Sequence, residues 1–229
     1  MREGVAVLRE LQRTERRQRI LDAAEALVRE TGGTSFTMVQ LARRAKMSEP
    51  TLYNLFGTKG AILYALLNGA LDELASFGGV PDETVPAVLR PIRAMENAAS
   101  FFVRDPGLLR PLYKYQLGEY AREERPAYMR RALAYWRQSL DGLLAAEVLS
   151  GEPRGKGFAV DDLAMALLAQ SIGLLDLWVQ GELADDEFRQ RMMLSAACMV
   201  SPASSGEDRL VIEQVLCDLR EAIPPKFAF

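Results

Sequence analysis

The chain has 229 residues, 49% of them hydrophobic and 26% charged, a mean hydropathy of −0.04 and a formal net charge of −3. That is the composition of a globular protein with apolar material for one large core or two smaller ones, and not of a disordered or collagen-like chain. It holds no histidine, which excludes Ser-His-Asp and Cys-His nucleophilic machinery and the H-E-x-x-H metal site, and only two cysteines, too few for a zinc cage and too far apart for a C-x-x-C pair.

No catalytic centre, metal or cofactor is therefore expected, and Cys198 and Cys217 are expected to be buried, reduced thiols. The first residues carry charge throughout and lack a signal-peptide core, so a cytoplasmic location is expected. The greasiest stretch, Leu163 to Val179, is broken by Gln170, Ser171 and Asp176 and falls short of the roughly 20 apolar residues of a span, so no membrane partner is expected. Charge is unevenly spread: residues 1–60 carry net +4 and residues 61–229 net −7. Arg13, Arg16, Arg17 and Arg19 cluster before the first long apolar pattern, and Arg43, Arg44, Lys46 and Lys59 follow. Such cations suit phosphates; a solvated helix face is the alternative.

From Thr14, the spacing of Ile20, Leu21, Ala24, Leu27 and Val28 predicts a first helix that Gly32 and Gly33 stop. Thr37 and Gln40 then form a capping box, with Phe36 and Leu41 as its hydrophobic staple, opening a short helix through Val39, Leu41, Ala42 and Ala45. Ser48 is a second N-cap, followed by Glu49 and Pro50 in a first turn, where a proline costs no hydrogen bond. In this helix Leu52, Leu55 and Phe56 fall on one side, with Pro50, Thr51, Tyr53 and Asn54 on the others, until Gly57. Seven residues span about 10 Å, short enough for a major groove about 12 Å wide. Thr58 caps a fourth helix whose stripe is Ile62, Leu63, Leu66, Leu67, Ala70, Leu71 and Leu74.

Two short helices joined by a tight turn and flanked by longer ones make a helix-turn-helix, whose second short helix reads base edges. Residues 19–67 closely resemble the N-terminal DNA-binding domain of TetR/AcrR-type transcriptional regulators. The resemblance rests on ILDAA in the first helix, T-x-x-x-L-A from Thr37 to Ala42, and S-x-x-T-L-Y-x-x-F-x-x-K from Ser48 to Lys59. It implies that Thr37, Tyr53 and Lys59 hold phosphates, that Pro50, Thr51 and Asn54 lie nearest the bases, and that Ser48 belongs to the same DNA-binding set. Gly60, Ala61 and Asn54 depart from the usual pattern, which bears on base preference. Residues 2–18 extend beyond the usual start, either as a basic arm or as a solvated helix.

Gly78 to Asp82 punctuates the chain. Beyond it, helical spacing recurs over about 85–104, 107–121, 126–149, 161–181, 185–200 and 206–221, with no alternating strand run and with Pro91 and Pro111 marking kinks or shifted boundaries. The expected fold is all-α, with a DNA-binding domain at 1–60 that includes an extension at 1–13, and a larger helical-bundle domain for ligand binding and dimerisation at 61–229. Gly151 to Gly157 lacks the G-K-[ST] ending of a phosphate loop and reads as a connector. Asp161, Asp162, Asp185, Asp186 and Glu187 read as helix caps. The segment 161–181 has two apolar stripes and wants burial on both sides. With the family's usual dimer interface in this penultimate pair, Leu168, Ile172, Leu175, Val179, Phe188, Met192 and Met199 are the expected subunit contact. Phe101, Phe102, Tyr113, Leu117, Trp136 and Leu140 belong to an aromatic-rich region, with Tyr120 nearby. For each, plain core is the alternative, and the resemblance is what implies a pocket for a small apolar or amphipathic effector. The function so implied is a ligand-responsive, homodimeric repressor on a palindromic double-stranded operator, activation remaining open. The alternatives are an all-helical apolar-ligand carrier or a helical adaptor without operator control.

Overall fold

A computed structural model describes residues 2–77, 85–118, 123–145 and 159–223, with side chains from residue 6 onward. Gly78 to Asp82, Tyr120 and the connector Gly151 to Gly157 lie outside the described residues. Among those described there is no β-strand, and the helices are α1 (Arg2–Thr31), α2 (Met38–Ala45), α3 (Glu49–Phe56), α4 (Lys59–Phe77), α5 (Arg90–Arg104), α6 (Pro106–Leu117), α7 (Arg125–Gln138), α8 (Asp141–Ala145), α9 (Val160–Gln180), α10 (Asp185–Val200) and α11 (Gly206–Ala222). The all-α expectation holds, with two boundary changes. Helix α1 starts at Arg2 and not near Thr14, so the extension is helix. The expected helix from 126 breaks after Gln138, where Ser139 Oγ donates to the Trp136 carbonyl at 2.6 Å and the fully buried Leu140 precedes α8. Pro91 sits in the first turn of α5 behind a 3-10 turn at Ala87–Leu89, whereas Pro111 is carried inside α6.

The chain divides into two compact units, one of residues 1–70 and 106–128, the other of residues 71–105 and 129–229. The expected border at 60/61 falls inside α4 and within the first unit. The first unit is built on Ile20, Ala24 and Val28 of α1, Phe36, Leu41 and Ala45 of the α2 region, Leu52 of α3, and Ile62, Leu63 and Leu67 of α4, all buried. Leu109, Leu112 and Tyr113 of α6 are buried in the same unit, where α6 packs on α1.

In the second unit α10 packs on α5, α9 and α11. Small Ala98, Ala99, Ala196 and Ala197 are fully buried there, which lets helix backbones approach closely. The Trp178 and Phe188 rings stack at 5.3 Å, and Trp178 Nε1 donates to Asp185 Oδ1 at 2.8 Å. Helix α9, with 21 residues, is long and apolar enough to cross a membrane by length and composition, contrary to the count made on Leu163 to Val179. Half of it is buried among the unit's other helices, as a core helix must be.

One further expectation fails here. Cys198 and Cys217 are exposed, on the outer sides of α10 and α11. The acidic residues stand in the first turns of α9 and α10 as expected, behind the N-cap residues Ala159 and Ala184, and they also find side-chain partners: Asp161 pairs with Arg137 at 2.8 Å, Glu187 with Arg191 at 2.7 Å and Asp186 with Arg189, while Asp185 accepts from Trp178. A carboxylate with a cation or an indole N–H in reach gains a stronger partner than a terminal amide offers.

Candidate nucleic-acid interface

The capping box forms as read: the Gln40 amide donates to Thr37 Oγ1 at 3.2 Å and the Thr37 amide to Gln40 Oε1 at 2.7 Å, which starts α2. That helix ends at Lys46, whose φ of 54° is left-handed and whose amide reaches back to the Ala42 and Arg43 carbonyls. A left-handed residue here redirects the chain within two residues and permits the tight turn between the two short helices. Helix α3 follows from Ser48, the N-cap by backbone; its Oγ instead meets Thr51 Oγ1 at 2.8 Å and caps no amide. Gly57, with φ 79°, closes α3, and the Ala61 amide donates to Thr58 Oγ1 at 2.9 Å to open α4.

Within α3 only Leu52 is fully buried, pinning the helix to the core. Ser48, Pro50, Tyr53 and Asn54 are exposed, Tyr53 by 50%, and Thr51 is half-buried; Thr37 is also exposed. Tyr53 is thus a surface residue and not a core one. Lys59 Nζ sits 4.9 Å from the centroid of the buried Phe36 ring, and partial burial lowers its pKa below the ordinary lysine value. The ring holds the ammonium while leaving it a hydrogen-bond donor.

Two features escaped the sequence reading. Arg17 donates to the Leu55 carbonyl at the end of α3 and lies over the Phe56 ring at 4.0 Å, so it braces α3. Arg44, counted among the phosphate-seeking cations, is engaged by Glu30 in a two-pronged pair, one arm at 3.0 Å. Both contacts join residues far apart in the chain, where periodicity carries no signal. Arg43 and Lys46 stay exposed without an ion pair among the described residues.

A second set of groups lies in the same unit. Tyr64, 2% exposed, meets Tyr115 and Tyr128 edge-on at 6.3 and 5.8 Å, and its hydroxyl has no hydrogen-bond partner among the described residues. Burial raises its pKa, an effect the neighbouring Arg125 partly offsets. The Tyr113 and Tyr128 hydroxyls are joined at 2.9 Å, and Thr58 Oγ1 donates to Glu124 Oε1 at 3.1 Å. Of the expected pocket residues, Tyr113 and Leu117 fall in this unit. Phe101, Phe102, Trp136 and Leu140 fall in the other, where Phe102 packs 6.5 Å from Trp178 and 6.3 Å from Phe188. Of the expected subunit contact, Leu168, Leu175 and Val179 are buried, Ile172 and Met199 half-buried, and Phe188 and Met192 fully buried inside their own unit. These last two serve the core, because nothing of their surface is left for a partner.

Residues 20–66 match the family model for bacterial regulatory proteins of the tetR family. The chain is 43% identical over 58 residues to the HTH-type transcriptional regulator HbdR of Aromatoleum sp. (strain CIB), a stretch covering 25% of each protein. It is 29% identical over 177 residues to the nucleoid occlusion factor SlmA of Vibrio atlanticus (strain LGP32), covering 74% of this chain and 87% of that one. Among solved structures it is similar to SmeT, the repressor of the Stenotrophomonas maltophilia multidrug efflux pump SmeDEF, with TM-score 0.61 and 23% identity over 84% of this chain and 92% of the other. SmeT has also been solved as a complex with triclosan, a match with TM-score 0.56 and 24% identity over 82% of this chain and 91% of that one. Residues 20–66 therefore form a helix-turn-helix of the tetR-family type, and the described residues share the all-helical fold of those solved structures.

Proposed function

We propose that the protein is a homodimeric repressor that holds a palindromic operator through α3 and leaves it when a small apolar or amphipathic effector binds. The observation that carries this reading is a helix held by one buried leucine that leaves Pro50, Tyr53 and Asn54 exposed and Thr51 half-buried; on this reading Pro50, Thr51 and Asn54 face bases, and Thr37, Tyr53 and Lys59, with Ser48 beside them, face phosphates. Threonine and proline carbons suit a thymine methyl, an asparagine amide suits adenine, and a phenol or ammonium donates to phosphate. In the dimer two copies of α3 stand one DNA turn apart, about 34 Å.

Support for the effector comes from the tyrosine cluster around Tyr64, whose hydroxyl has no partner among the described residues, and from the triclosan complex of the similar SmeT. The Thr58–Glu124 bond runs from that neighbourhood to the residue before Lys59, so an effector that displaces Glu124 loosens the start of α4 beside a phosphate contact. An effector favouring the released state by about 1–3 kcal/mol lowers operator affinity about 5- to 150-fold, and DNA weakens the effector by the same factor. Support for the dimer comes from the half-exposed Ile172 and Met199 and the 51% exposed Met165 on α9 and α10.

The test is selection of bound genomic fragments by the purified protein, then titration of the best fragment with and without lipophilic effectors. Lys59→Ala should weaken all sequences alike, whereas Thr51→Ala should change the preference among half-sites. An unchanged preference profile for Thr51→Ala refutes the base-contact assignment, and effector binding that DNA does not oppose refutes the release mechanism.

A further inference from the structure

We propose that an arginine face on the N-terminal part of α1 is a second DNA contact, gripping backbone phosphates that flank the stretch read by α3. The inference rests on the reading of α3 as the base-reading helix. Arg9, Arg13 and Arg16 recur at i, i+4 and i+7, so they lie on one face of α1. Ile20 and Leu27 continue the same row, and Ile20 is fully buried in the core of the first unit. The row that faces the core along the inner part of α1 therefore becomes guanidinium where the helix runs past it. Arg17 fixes the register, because it is bonded to the Leu55 carbonyl and stacked on Phe56 at the end of α3, one residue beyond Arg16 at the C-terminal end of the row.

Each of the three arginines is exposed and without an ion pair among the described residues, whereas Arg29 on the same helix is held by Glu25 at 2.7 Å. Glu10 and Glu15 fall off the row, and Val7 and Leu11, 60% and 57% exposed, lie opposite it, so the positive charge is one-sided. Along the axis Arg9 to Arg16 spans about 10 Å. Phosphates of one strand recur about every 3.4 Å of duplex axis, so the row matches about three of them. A helix about 10–12 Å across does not enter a minor groove about 6 Å wide, so the partner is the backbone and not the groove floor.

The experiment measures operator affinity from about 50 to 200 mM salt for the unmodified full chain and for R9Q/R13Q/R16Q, R9K/R13K/R16K and E10Q/E15Q. Losing three phosphate contacts should flatten the log–log salt slope by about 2.7 per bound protomer, so across this fourfold range the unmodified protein loses about 40-fold more affinity than the glutamine variant. The lysine variant should keep the slope, the off-row glutamine variant should not flatten it, and half-site preference should be the same in all. Hydroxyl-radical footprints should lose protection only at the flanks in the glutamine variant. A glutamine variant with unchanged slope and footprint overturns the inference, as does a lysine variant as weak as the glutamine one. If the unmodified protein binds no duplex, it is the reading of α3 that fails.

Discussion

Thr58 makes two bonds that can be separated by substitution. Its Oγ1 accepts from the Ala61 amide at 2.9 Å and donates to Glu124 Oε1 at 3.1 Å, linking the start of α4 to the segment leading into α7. An N-cap threonine is worth about 1 kcal/mol against alanine, and an exposed hydrogen bond to a carboxylate adds about 1 kcal/mol. Thr58→Ala should therefore cost about 2 kcal/mol, Thr58→Ser less than about 0.5 kcal/mol because serine keeps both bonds, and Glu124→Ala about 1 kcal/mol. In a double-mutant cycle read by urea unfolding, Thr58→Ala and Glu124→Ala together should fall short of additivity by about 0.5–1 kcal/mol. Equal loss from the alanine and serine variants would refute the cap, and strict additivity would refute the bond to Glu124. The same cycle run on operator affinity tests whether this bond carries the effector's signal.

Phe188→Ala should destabilise by about 3–5 kcal/mol, since it empties a fully buried site and removes the stack on Trp178. Urea midpoints check this, and a loss under about 1 kcal/mol would mean that the site collapses without a cavity. Burial pushes the Tyr113 hydroxyl up to about 12, the Tyr128 bond offsetting part of the effect. The unfolded chain ionises this phenol near 10, so the folded state holds one more proton between those values. Stability is complete below pH about 10 and falls as pH rises toward 12, by about 3 kcal/mol for this group, and Tyr113→Phe should lack that portion of the loss in melts at pH 9 and 11.5. Thiol labelling reports on assembly: Cys198 and Cys217 are both exposed in the isolated chain, and a two-fold contact through α9 and α10 should slow Cys198 but not Cys217 as protein concentration rises. Equal, concentration-independent rates would count against that contact.

What could be read from the sequence was local. Thr37 with Gln40, Gly57, and Thr58 with Ala61 are pairings within one turn, where residue type nearly dictates the partner, and each formed as expected. Helix positions followed from apolar periodicity for the same reason. Side-chain partners across the fold were not legible. Arg44 finds Glu30 fourteen residues away, Arg17 finds Leu55, and Trp178 finds Asp185, because each choice depends on which surfaces meet after folding. Burial shows the same limit: Phe188 and Met192 share the apolar pattern of interface residues, and only the packing of α10 against α5 and α9 assigns them to the core.

The single-leucine anchoring of α3 also bears on how such a regulator changes target. Since Leu52 alone is fully enclosed, replacing Pro50, Tyr53 or Asn54 alters little of what the helix rests on. Exchanges at outward-facing surface sites commonly shift stability by no more than about 0.5 kcal/mol. On the proposed reading of α3, a duplicated gene is thus free to explore new recognition sites by successive replacements at Pro50 and Asn54 without passing through unfolded ancestors, and a designer can randomise those two codons while leaving the scaffold untouched.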